Sequence, residues 1–151
     1  MKSIIYFFSI CLILLVDNGC ASAQNNVPEK QAVQMLREFY TAYSKIKFTV
    51  KYRNQIDSLQ KKYCTIKLRK ELKEEFKAGG LDHDPLTNDY GMDDVKLKTM
   101  LIKRESATVN VYSVSYTTST TSPANKPIEE KVTLHVAVAE ETGVLKIASV
   151  K

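Results

Sequence analysis

The chain has 151 residues, 44% hydrophobic and 26% charged, with 22 Lys and Arg against 17 Asp and Glu for a net charge of +5. That is length for one domain rather than two, and five Gly with four Pro exclude collagenous, low-complexity and compositionally disordered chains. Three Cys are too few for a disulfide framework, and a modest positive charge selects no partner class.

The first segment reads as an export signal. Lys2 supplies a positive n-region, residues 4–16 are apolar, and Ala21-Ser22-Ala23 is a small-residue cleavage site. The apolar run is too short to span a bilayer comfortably. Cleavage after Ala23 leaves 24–151 as a single domain, secreted or periplasmic. A second pattern overlaps it. Gly19-Cys20-Ala21 places a small residue before Cys, as bacterial lipoprotein processing requires. Residues 1–19 would then be the signal, and a lipidated Cys20 would tether the protein to a membrane. Cys64, left alone in an oxidising compartment, is expected to be buried and inert near a helix end.

Helices come next. Pro28 suits a first helical turn, and Val33, Leu36, Phe39, Tyr40 and Tyr43 follow at spacings of three and four, predicting one apolar stripe that ends near Lys45. Asn54 is a candidate N-cap for a second helix with Ile56, Leu59 and Tyr63 facing inward. Thr65 caps a third carrying Leu68, Leu72 and Phe76, stopped by Gly79-Gly80.

Beyond Asp94 the period changes to two. Val95, Leu97, Thr99 and Leu101 alternate with lysines, residues 108–118 are rich in Val, Tyr, Ser and Thr, and Val132, Leu134, Val136 and Val138 form an alternating row. Glu141-Thr142-Gly143 is a turn before a last strand at 144–150, and 119–127 is a loop between strands. Helices followed by an antiparallel meander make an α+β fold, with about three helices packed on a curved, cone-like sheet of about four strands.

Charge follows these divisions. Residues 27–78 hold 13 basic and 6 acidic side chains, 82–94 hold five acidic and no basic ones, and 95–151 hold eight basic and five acidic. The basic residues of the first part are spread around helices rather than clustered with aromatics, which argues against a nucleic-acid face.

Phe39-Tyr40, Lys62-Tyr63-Cys64-Thr65, Asp82-His83-Asp84-Pro85-Leu86 and the closing Glu140-Glu141-Thr142-Gly143-Val144-Leu145-Lys146-Ile147 together resemble a family of secreted bacterial proteins of unknown function. That family resembles the nuclear-transport-factor-2-like α+β cone. The resemblance covers nearly all of 24–151 and implies a fold more than an activity, since such cones serve isomerases, dehydratases, binding modules and inhibitory partners alike.

The acidic stretch from Asp82 to Asp94 carries the chemical potential of the chain. Its alternating oxygen ligands suggest a hard cation, yet Leu86 and Thr87 break the calcium-loop pattern and no Glu closes it. Asp82 and Asp84 are read as turn or helix caps around Pro85, and no metal or cofactor is expected. His83 among carboxylates is a candidate acid or base, whereas His135 falls on the face opposite the valine row. Tyr40, Tyr43, Tyr112 and Tyr116 combine apolar bodies with polar tips and are core residues or the wall of a half-open cavity. With Asp82, His83, Asp84 and Asp89 they make the candidate pocket. No Gly-x-Ser-x-Gly, His-Glu-x-x-His or phosphate-cradling glycine loop is present.

The expected function is a non-enzymatic binding module, secreted or surface-tethered, for a small ligand or a protein partner. Two alternatives are an immunity or inhibitor protein against a secreted toxin or enzyme, and an isomerase- or hydrolase-like enzyme using the Asp, His and Tyr side chains.

Overall fold

The computed structural model describes residues 27–46, 51–78, 83–89, 91–121 and 127–151. The export signal with Cys20, the Gly79-Gly80 stop, Asp82, Tyr90 and residues 122–126 lie outside the described residues, while 119–121 and Pro127 of the expected loop belong to strands.

Helix α1 (Glu29–Ser44) begins directly after Pro28 and buries Leu36, Phe39, Tyr40 and Tyr43 of the expected stripe, but at its start Ala32 is buried and Val33 only half-buried. Each large side chain of that stripe contributes about 2 kcal/mol of apolar burial. Helix α2 (Tyr52–Tyr63) starts before Asn54, so that residue lies in the first turn rather than at the cap. Apolar packing of Ile56, Leu59 and Tyr63 fixes the helix instead. Helix α3 (Ile66–Lys77) has the expected cap: Thr65 Oγ1 accepts a hydrogen bond from the Leu68 amide at 3.2 Å, worth about 1 kcal/mol. Leu68 and Leu72 are buried, but Phe76 is 60% exposed, contrary to expectation. It sits in the last turn of α3, where the Arg53 guanidinium covers its ring at 5.2 Å.

The alternation at 95–101 is not a strand from its start. Asp94–Thr99 is a helix, α4, capped by Asp93, whose side chain accepts from the Val95 and Lys96 amides. Val95 is consequently 65% exposed while Lys96 is 9% exposed, the reverse of the strand reading. The strand begins only at Leu101, and the helices number four among the described residues.

Strands β1 (Leu101–Arg104), β2 (Val111–Thr121), β3 (Pro127–Glu141) and β4 (Val144–Val150) form one antiparallel sheet in the order β1-β2-β3-β4. Tyr112, Val114 and Tyr116 of β2 pair with Val136, Leu134 and Val132 of β3, and this row faces the helices. The register shifts opposite Ala137 and Val138, which pair with Ser149 and Ile147, so Ala148 is an extra residue in β4 and a bulge in that strand. Thr142 and Gly143, at φ 54° and 78°, make the tight β3–β4 turn. Cys64, at the junction of α2 and α3, bridges to Ile147 of β4, and the Thr65 amide donates to the Ile147 carbonyl at 2.9 Å. The Cys64 thiol is fully buried, and burial pushes it up to about 12. The structure is therefore α+β, a four-stranded antiparallel sheet with helices. Among the described residues no helix is long and apolar enough to cross a membrane.

Candidate functional site

The acidic segment folds back on itself because Asp84 is an efficient turn former. Its Oδ1 accepts from the Leu86 amide at 2.9 Å, and its carbonyl accepts from the Thr87 and Asn88 amides at 3.1 and 2.7 Å. The Asp84 amide donates to the Asp89 carbonyl at 2.9 Å, closing the turn, with Asn88 in the left-handed region at φ 49°. The turn drives Leu86 and Thr87, 1% and 0% exposed, into the core.

Tyrosines from two elements hold it there. From α1, Tyr40 donates its hydroxyl to the Leu86 carbonyl at 3.2 Å, and Tyr43 donates to Asp84 Oδ2. From β2, Tyr116 donates to the Thr87 carbonyl. These buried carbonyls would otherwise carry an unmet hydrogen-bonding demand. Burial raises the Tyr40 hydroxyl, helped by Tyr116, and raises that of Tyr116, helped by Asp89 and Asp84. Both therefore act as neutral donors.

The other end of the segment is ionic. The Lys96 ammonium lies 2.8 Å from Asp89 Oδ2, 3.8 Å from Asp93 Oδ2, and 2.9 Å from the Gly91 carbonyl, to which it donates. Asp84 has different surroundings. Burial pushes its carboxyl up to about 6, opposed in part by the Leu86 amide. Its carboxyl oxygens accept from the neutral Tyr43 hydroxyl and from that amide.

Of the candidate residues, Tyr40, Tyr43, Asp84, Asp89 and Tyr116 come together around one segment. His83 begins that segment and is exposed. Tyr112 lies on the same face of β2 as Tyr116, roughly 13 Å further along at strand rise. It is fully buried, and its hydroxyl has no hydrogen-bond partner among the described residues. His135 is on the outer face beside Glu105, as the alternation predicts. Leu86, Thr87 and Lys96 were missed. The first two stood in the sequence as breaks in a calcium pattern, and Lys96 as an outward strand position. Asp93-Asp94 before an apolar run was the available helix-start signal.

The volume at the centre of the candidate pocket is thus filled by the chain's own Leu86 and Thr87. Shallow grooves occur elsewhere. One of about 550 Å³ between α1 and α2 is floored by Ala42, Ile46 and Leu59, and one of about 410 Å³ runs along α1 past Gln34 and Lys45. Neither is lined by a candidate residue. Among the described residues no three His, Cys, Asp or Glu side chains are grouped as metal ligands.

An α+β domain with a sequestered tyrosine–carboxylate cluster is the class that fold and site define. The sequence matches no protein-family model and no curated protein. It is similar in structure to a crystallised protein of unknown function from Bacteroides thetaiotaomicron VPI-5482, with a TM-score of 0.68 and 25% identity, over 82% of this chain and 90% of that one.

Proposed function

We propose that the chain is an exported, non-enzymatic binding module that acts through its surface on a protein partner. The observation carrying this reading is the filled centre: the groups that would do acid–base work already serve the fold. Asp84 caps its own turn and accepts from Tyr43, Asp89 faces Lys96, and two tyrosine hydroxyls hold backbone carbonyls. The order of helices and meander, with the bulge at Ala148 in β4, supports a cone-like relative of the nuclear-transport-factor-2-like fold whose cavity is occupied by its own loop. Export rests on the 1–23 signal pattern, with Cys20 lipidation as its alternative.

The test has a catalytic arm and a binding arm. Purified protein assayed on isomerase and hydrolase substrates is expected to show no turnover that Asp84→Asn or His83→Gln abolishes; such turnover would overturn the reading. A stoichiometric complex with an envelope protein, measured by calorimetry, is the expected positive result. The inhibitor alternative draws support from the excess of basic side chains over 27–78, which suits an acidic partner surface. Loss of binding in charge-reversed α1 or α2 lysines would favour it.

A further inference from the structure

Strand β3 is longer than the strand beside it. β4 pairs with it as far as Val136, opposite Val150, and His135 and Lys151 then exchange backbone hydrogen bonds at 2.9 and 3.1 Å. His135 therefore directs its N–H and C=O to the β4 side. The β2–β3 register is unbroken from Ala137 to Pro127, so the period of two directs the backbone groups of Thr133, Lys131 and Glu129 the same way. Among the described residues nothing pairs with them there, and all three residues are exposed.

A bare edge is ordinarily guarded by charge, Lys above all. Here the charge changes sign within two residues. Glu129 and Lys131 share the outer face with His135, while Ile128, 48% exposed, and Val132 share the inner face with Glu130 between them. That order is complementary to its own reverse. A second copy turned antiparallel about Glu130 sets its Lys131 opposite Glu129 and its Glu129 opposite Lys131. It also sets its Val132 opposite Ile128 in the closer, non-hydrogen-bonded kind of pair. Its Thr133 amide meets the carbonyl of Pro127, whose missing N–H marks where the pairing stops. The arrangement carries one repulsion, Glu130 against its own copy. Moving the axis to Glu129 or Lys131 instead sets that charge against itself and undoes the Glu129–Lys131 pairs. We propose that the free edge of β3, residues 127–133, is a homodimer interface, at which two copies pair antiparallel about Glu130 and join their sheets into one of eight strands.

Sedimentation equilibrium of the purified protein is expected to show a monomer–dimer equilibrium, weak as suits a small interface. Glu129→Lys or Lys131→Glu makes both outer pairs repulsive and should weaken association about tenfold, and the double exchange should restore it to within about threefold. Lys131→Pro removes an N–H that no bond within the protein uses, so it should abolish the dimer and leave the fold intact. Glu130→Gln lifts the repulsion at the axis and should tighten association about threefold; weakening there overturns the register. A protein that stays monomeric up to about 1 mM leaves the edge to a strand of another protein and overturns the dimer. So does a dimer indifferent to Lys131→Pro, or a double exchange that fails to restore association. Should these variants not fold, mild oxidation decides. Glu130→Cys, which meets its own copy, is expected to give a disulfide-linked dimer, and Ser106→Cys, exposed between β1 and β2, is not; Cys64 is buried and does not compete. No disulfide at the first position, or equal yields at both, overturns the interface.

Discussion

At its first end the 83–93 segment is gripped by hydroxyl donors, with Tyr40, Tyr43 and Tyr116 reaching two carbonyls and one carboxyl; at its second end it is gripped by the Lys96 ammonium between Asp89 and Asp93. The two carboxylates are close in sequence, and their environments separate them. Asp89 has a cation at 2.8 Å, whereas Asp84 is buried beside neutral donors and is pushed up to about 6. A buried carboxyl with a countercharge is a fixed structural bond, and one without it is a protonation site. The same loop carries both.

The sharpest way to break this contrast is to remove the cation. Lys96→Met is expected to cost about 3–5 kcal/mol in urea unfolding, because Asp89 loses its countercharge in a site that remains desolvated. Leu86→Ala keeps both grips and empties what lies between them; a loss of about 3 kcal/mol is expected, from lost burial and an unfilled cavity. A pH series separates the two ends. Asp84 holds a proton in the folded state that the unfolded chain releases between 3.8 and about 6. Its contribution is therefore fully present below pH 3.8 and is lost as pH rises through 6, by about 2 kcal/mol between pH 4 and 7. Comparing denaturation of the parent with Asp84→Asn across that range isolates it, and coincident profiles would remove Asp84 as the source. Tyr116→Phe is the mildest change. It leaves the Thr87 carbonyl short of a donor and should lower stability by about 1 kcal/mol.

How much of this was legible beforehand depends on the range of the interactions involved. The α1 stripe, the Thr65 cap, the Val132-to-Val138 alternation and the Thr142-Gly143 turn are local patterns, and each was visible in a short window. α4 was not, because six residues give too little length to separate a helical period from alternation, and the deciding signal was the Asp93 cap beside it. Phe76 obeyed the four-residue spacing of Leu68 and Leu72, yet it falls past the edge of the buried face in the final turn. The candidate tyrosines and aspartates were singled out individually. Their meeting was beyond local reading, since Tyr40 and Tyr43 reach Leu86 and Asp84 across 46 and 41 positions.

Cys64 has a practical consequence. It is the cysteine of the described residues, fully buried against Ile147, and its thiol is pushed up to about 12, so the native state holds almost no reactive thiolate at pH 8. Alkylation at that position must wait for the α2–α3 junction to leave the edge of β4. The domain thereby contains its own chemical stopwatch: the rate at which a thiol reagent consumes Cys64 times the opening of the helix–sheet seam, with no introduced label.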